Sequence, residues 1–308
     1  METTNRNKAG ALGATPAART PALASTPHPA GTHRLPDEPL VVIQPAGSAG
    51  ALNLRELWDY RGLLYYLIWR DVKVRYKQTV LGVAWVVLQP LMMTLIFTVV
   101  LGMLVRIPSG RVPYPILVYV GLLPWTFFSS AVSSAGSSLI SNSHLITKVY
   151  FPRLLVPMSA IGSRLIDLFI AFVILAGMMF YYRVGIGWTT LLLPALILLT
   201  TLLSLGVGTL LAALNVKYRD VGILLPVVIQ LWMYVSPVLY PASLVPERWR
   251  RLYDLNPIVG IVQGFRGALF HEGFDGFALG VTAAVTLVVL VYAAYLFRRV
   301  ESGFADVI

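Results

Sequence analysis

The stretch TTLLLPALILLTTLLSLGVGTLLAAL at residues 189–214 runs into NVKYRDV at 215–221, and that into GILLPVVIQLWMYVSPVLY at 222–240. The two flanking runs hold no charged residue, and each is near or above the roughly 20 residues that cross a hydrocarbon core. Lys217, Arg219 and Asp220 are gathered between them. In lipid every backbone polar group must find an internal partner, which a helix supplies within its own segment. The pattern therefore predicts two membrane-crossing helices joined by a short charged turn.

The same pattern recurs along the chain. Of its 308 residues, 57% are hydrophobic and 12% charged, against about 25% charged in soluble domains. Apolar runs predict six spans, over 80–105, 114–140, 153–181, 188–214, 222–241 and 276–297, and so an all-α polytopic membrane protein. A net charge of +10 would suggest nucleic acid as partner of a soluble protein. Here the basic residues stand at the ends of apolar runs, where they orient spans and meet lipid headgroups, so membrane lipid is expected and nucleic acid is not. The chain has no cysteine, which excludes disulfides, thiolate metal sites and thiol nucleophiles.

Residues 1–50 hold seven prolines and no sustained apolar block, a composition that predicts a disordered tail without a signal-peptide core. Over 54–77, Leu57, Tyr60, Leu64, Leu67 and Ile68 recur at helical spacing, with Arg55, Glu56 and Asp59 off that stripe. This predicts an amphipathic helix in the membrane interface, ending in the basic cluster Arg70, Lys73, Arg75 and Lys77. Placing 54–79, 141–152, 215–221 and the end from 298 to 308 inside gives basic residues at every inner boundary and puts both termini in the cytoplasm. The segment 242–275 is then external despite Arg248, Arg250, Arg251 and Arg266; it is long, and orientation is set by short loops. Within it NPIVGIVQGFRGALF, 256–270, is apolar but too short to span, which predicts a re-entrant or interfacial helix.

Several stretches could carry chemistry. Ser130, Ser134, Ser137 and Ser141 form a hydroxyl stripe in the second span, which either packs helices closely or lines a polar path. A small-residue series, Ser204, Gly208 and Ala212, marks the fourth span. Arg164 and Asp167, three apart in the third span, predict a structural ion pair near the inner boundary. Trp125, Phe128, Trp232 and Tyr234 belong to an aromatic group that either forms an interfacial belt or faces a pore. The chain has no G-x-x-x-x-G-K-[ST], no D-x-D and no histidine cluster, so it is not expected to bind ATP phosphates, a metal or a catalytic constellation itself.

The runs LIWRDVKVRYKQTVLGVAWVVLQPL at 67–91, KVYFPRLLVP at 148–157, NVKYRDV, NPIVGIVQGFRGALF and FRRVESGFADVI at 297–308 together resemble, in order, the polysaccharide-exporting ABC-2 permeases. The resemblance spans 54–308 and leaves out the tail. It implies a half-transporter in the bacterial cytoplasmic membrane that pairs with a second copy of itself and with two copies of a separate ATPase subunit. That subunit would hold ATP and Mg²⁺, leaving this chain without a cofactor. The cargo it implies is lipid-linked polysaccharide, O-antigen on undecaprenyl pyrophosphate ahead of wall teichoic acid. A drug or small-lipid permease, and more remotely a membrane glycosyltransferase, are the alternatives.

Carried onto this sequence, the resemblance makes 141–153 an ATPase-docking helix with Lys148, Tyr150, Phe151 and Arg153 as contacts. Lys217, Tyr218, Arg219 and Asp220 become a secondary coupling or structural element, with Arg219 and Asp220 as a fixed couple. Arg70, Lys73, Arg75 and Lys77 either meet the carrier's pyrophosphate first or simply anchor the inner boundary. Trp125, Phe128, Trp232 and Tyr234 are the expected channel-lining rings.

Overall fold

The computed structural model describes residues 54–77, 82, 84–107, 112–185, 187–271 and 273–301. The tail expected over 1–50 and the residues beyond 301 lie outside these. Among the described residues there are helices and turns but no strand. Five helical stretches are long and apolar enough to cross a membrane: Ala84–Leu104, Tyr114–Ser141, Leu155–Tyr181, Trp188–Lys217 and Gly276–Glu301. They agree with five of the six expected spans to within a few residues.

In chain order the helices are α1 (Leu54–Asp59), α2 (Arg61–Lys77) and α3 (Ala84–Phe97, continued as a π-helix through Thr98–Leu104). They continue with α4 (Tyr114–Ser141), α5 (Ser143–Lys148), α6 (Leu155–Tyr181) and α7 (Leu193–Lys217). The last four are α8 (Asp220–Val235), α9 (Glu247–Tyr253), α10 (Pro257–Phe270) and α11 (Gly276–Glu301).

The expected span 222–241 differs from what forms. α8 has 16 residues, about 24 Å at 1.5 Å per residue, which is short of a ~30 Å core. It stops because Ser236 precedes Pro237, and the proline ring pushes the residue before it out of the helical region; Ser236 sits at φ −103°, ψ 152°. Residues 236–241 continue as irregular chain.

α4 is the hub, packing against α3, α6, α7, α8 and α10. From Ile116 to Trp125 every residue of it is buried, as expected for a helix apolar on all sides and enclosed by others. α4 meets α7 through small residues: a methyl added at Gly208 would stand 2.7 Å from the Ala135 side chain. Ser204, Gly208 and Ala212 are all buried, so the small-residue series is a packing face. α10 closes the opposite end of the bundle. Asn256 caps its first turn by accepting from the Ile258 N–H, Pro257 opens it, and His271 ends it in the left-handed region. Its residues Pro257 to Ile261 are all buried among α4, α7 and α11, so it is an enclosed short helix rather than a span.

The stretch 54–77 is helical, as its spacing predicts. Two helices form, broken at Tyr60, and the aliphatic stripe faces protein. Leu67 is buried, with Leu57, Tyr60 and Leu64 packed around it, in a cluster with Ile146, Phe151, Leu155 and Phe297. Ile68 lies against Gly162 of α6. The outward face carries rings instead: Trp58, Tyr65, Tyr66 and Trp69 are exposed, with Arg61 over Trp58 and Lys73 over Trp69. Rings with polar edges tolerate a wet interface better than leucine does.

Candidate functional site at the α2–α4–α6 junction

The strongest concentration of polar chemistry joins the C-terminal half of α2 to α4 and α6. Arg75 Nη1 lies 2.7 Å from Asp167 Oδ2, and Arg164 Nη1 lies 3.3 Å from the same oxygen. The Tyr76 hydroxyl donates to the other oxygen, Oδ1. Arg75 Nη2 donates to Ser163 at 3.0 Å, while Arg164 Nε and Nη2 both donate to Ser134 Oγ at 2.9 and 2.7 Å. Arg164 and Asp167 do pair, as their spacing predicts, but within a network that also binds α2. Burial, and then the bond to Asp167, push the Tyr76 phenol up to about 12, so it stays a proton donor at physiological pH.

A second group sits one turn earlier on α2. Arg70 Nη2 donates to Asp71 Oδ1 at 2.8 Å and to Asn142 Oδ1 at 2.7 Å. Ser159 of α6 donates to Asp71 Oδ2 at 3.4 Å. Between the two groups lies a cleft of about 200 Å³, walled by Asp71 and Arg75 of α2, Ser134, Ser137 and Ser141 of α4, and Asn142. The serine stripe thus divides. Ser138 is buried, whereas Ser137 and Ser141 are exposed at the cleft. In the basic cluster at the end of α2, Arg70 and Arg75 turn inward to acidic partners, and Lys73 and Lys77 are exposed.

The helix expected over 141–153 is shorter, and the residues expected as contacts divide as well. α5 ends at Lys148 and Val149 is extended. Tyr150 is 71% exposed, but Phe151 is only 6% exposed, packed into the cluster with Leu67 and Phe297. Arg153 is turned toward α11, its backbone N–H donating to Glu301 Oε1 at 3.3 Å and its Nη1 to the Glu301 carbonyl. Lys148, Val149 and Tyr150 therefore form the surface, and Phe151 and Arg153 fasten it to the bundle.

In the α7–α8 turn, Asn215 is buried and donates to the Gly136 carbonyl at 2.9 Å. Lys217 lies over the Tyr218 ring at 5.2 Å. The expected couple does not form, since among the described residues no ion pair joins Arg219 to Asp220. Asp220 instead begins α8, where a carboxylate favours the positive end of the helix dipole.

The ring residues separate in the same way. Phe128 is fully buried and Trp125 nearly so, both inside the protomer's own core, so neither presents a surface to a pore. Trp232 packs edge-on against Phe128 at 5.3 Å and donates to Asn256 Oδ1 at 2.9 Å. Tyr234 is 52% exposed. Nearby, three successive carbonyls of the irregular 236–241 segment are taken by side chains. Arg266 binds those of Val238 (3.1 Å) and Tyr240 (3.0 Å), and Tyr114 binds that of Leu239 (2.7 Å). Among the described residues no group of three His, Cys, Asp or Glu could hold a metal.

Several of these roles are not legible from spacing. Asp71, Asn142, Ser159, Ser163 and the buried Arg266 acquire partners 26 to 88 positions away. The only local signal is Asn142, a polar residue at the junction of two helices.

The profile of the ABC-2 type transporter family, a membrane domain, matches residues 62–270. The chain belongs to this family. An O-antigen export system permease protein, RfbA, of Myxococcus xanthus is 31% identical over 258 residues, covering 82% of this chain and 98% of the relative. A Klebsiella pneumoniae protein of the same name is 24% identical, over 83% and 97%. The polysialic acid transport protein KpsM of Escherichia coli is 24% identical, over 77% and 93%. The matched region of this ABC-2 membrane domain takes in the whole α2–α4–α6 junction, α5 and α10.

Proposed function

We propose that this ABC-2 chain is the permease subunit of an ATP-driven exporter of lipid-linked polysaccharide, with O-antigen on undecaprenyl pyrophosphate as its cargo. The observation that carries the reading is a 31% match running along 98% of an O-antigen export permease. Two copies of the chain form a channel between them in the bacterial cytoplasmic membrane, with both termini in the cytoplasm. Two copies of a separate subunit bind ATP and Mg²⁺. Lys148, Val149 and Tyr150 supply the exposed docking surface, seconded by Lys217 and Tyr218 in the next inner loop. Lys73 and Lys77, exposed at the inner boundary, first meet the carrier's pyrophosphate. Trp232 and Tyr234 keep the channel-lining role that burial denies to Trp125 and Phe128.

Deleting the gene tests this reading. Surface O-antigen should disappear while lipid-linked glycan accumulates inside, and unchanged surface glycan would sink it. The likeness to a polysialic acid transport protein favours a second reading in which the cargo is an acidic capsular polymer. Loss of capsule with intact O-antigen in the same strain would select it.

A further inference from the structure

We propose that Asn215 is a positioning residue that ties the α7–α8 turn to α4, so that a push on the turn is delivered to the hub of the bundle. The inference deepens the export reading and rests on it for the origin of the push, not for the contact.

Geometry is the first ground. Asn215, in the last turn of α7, is 4% exposed, and its Nδ2 donates to the Gly136 carbonyl of α4 at 2.9 Å. Three helices meet there at two glycines. A methyl added at Gly136 would stand 3.0 Å from Leu225 Cδ2 of α8 and 3.5 Å from Leu211 Cβ of α7. A methyl added at Gly222 of α8 would stand 3.0 Å from Asn215 Oδ1. The amide is thus held between α4 and the first turn of α8, two residues before the exposed Lys217.

Energetics is the second. Asn215 Oδ1 is buried and accepts no hydrogen bond among the described residues. A buried carbonyl oxygen without a donor costs free energy, which a leucine in the same space would not. The Gly136 carbonyl lies inside α4 and has the helix ladder as its other partner, so it does not depend on Asn215. For stability alone the asparagine is a poor choice. What the amide adds, and leucine cannot, is a directional bond that fixes α7 against α4.

Reach is the third. Ser134, two residues before Gly136 on α4, accepts from Arg164 of α6 at 2.9 and 2.7 Å. Arg164 and Arg75 of α2 both bind Asp167. A displacement of α4 at Gly136 is therefore shared with α6 and α2 through bonds of fixed geometry, the kind of contact that carries coupling between packed helices.

The test uses the full permease–ATPase complex in proteoliposomes, with Asn215→Leu as the variant. The chain has no cysteine, so Ser137→Cys on α4 and Ile223→Cys on α8, both exposed positions, take nitroxides selectively before assembly. Labelled copies are diluted with unlabelled ones, and pulsed EPR reads the α4–α8 distance within one protomer. With Asn215 present that distance should be the same with and without ATP; with leucine it should change when ATP binds. Glycan shielded from an added glycosidase per ATP hydrolysed should fall about fivefold, the scale on which single residues modulate coupling. The thermal midpoint and capture of the ATPase should not change. Gly222→Ala presses on the same amide from α8 and should give the same loss, which serves if Asn215→Leu does not fold. Equal distance behaviour in both backgrounds overturns the proposal, as does a lowered midpoint with unchanged glycan per ATP. If the distances differ as expected but wild type shields no glycan, the export reading fails and the coupling role stands. If wild type shields glycan with ATP and the variants match it, export stands and the coupling role fails.

Discussion

Arg153, in the loop leaving α5, is bound to Glu301 in the last turn of α11, 148 positions away in sequence. The segment that offers Tyr150 outward is thus fastened from behind to the final helix, with Phe151 buried between. The docking proposed for Tyr150 and the fastening by Arg153 fall on neighbouring residues, and mutation can separate them.

Tyr150→Ala should weaken capture of the ATPase subunit in a pull-down and leave the thermal midpoint of the permease unchanged. Arg153→Ala should do the opposite first, lowering the midpoint by releasing α11, with any loss of capture secondary. Equal effects of both on capture alone would return Arg153 to the docking surface.

Asp167 accepts from two arginines and a tyrosine, so removing its charge takes that carboxylate from both cations. Asp167→Asn should cost about 2 kcal/mol in a reversible unfolding assay. Adding Arg75→Gln should recover part of that loss, because the double change removes one of the two cations that faced the lost carboxylate. Strict additivity of the two changes would show that the residues do not act as one network.

Gly121 faces the Val238 carbonyl and lies where an added methyl would come within 2.9 Å of Arg266 Nη2. Helix and clamp backbone are both held, so neither can yield cheaply. Gly121→Ala should loosen the 236–241 segment and raise its hydrogen exchange, leaving exchange in α5 unchanged.

Asp254 is buried at 5% exposure, and its Oδ1 makes no hydrogen bond among the described residues. Burial, and next the charge of Asp275, hold its carboxyl above the usual range. Because the folded-state value exceeds the unfolded one, the contribution is full below the ordinary carboxylate range. It is lost as pH rises through the raised value. Asp254→Asn should therefore raise the thermal midpoint at neutral pH, with the gain shrinking toward pH 4.

Much of this architecture is legible in the sequence because apolar length is a local signal. Tyr114–Ser141 and Gly276–Glu301 announce themselves, and Pro257 with Asn256 marks the start of α10. What is not legible is which face of a helix meets protein. Leu57, Leu64 and Leu67 have the same spacing whether they cover lipid or Phe297, and only the tertiary partner decides. Phe128 and Tyr234 look alike as rings near span ends, yet one fills the core and the other is half exposed. Arg75 reads as an inside-positive charge until α6 brings Asp167 beside it. The end of α8 could be read from Ser236-Pro237, whereas the carbonyl clamp by Arg266 could not.

The central claim is tested most directly by reconstituting the chain with its ATPase subunit in proteoliposomes loaded with undecaprenyl-diphosphate-linked glycan. Glycan in the outer leaflet is open to an added glycosidase. With the ATPase facing outward, ATP should move the polymer into the protected lumen, and an ATPase variant unable to hydrolyse should not. ATP hydrolysis with no change in glycosidase protection would contradict the account.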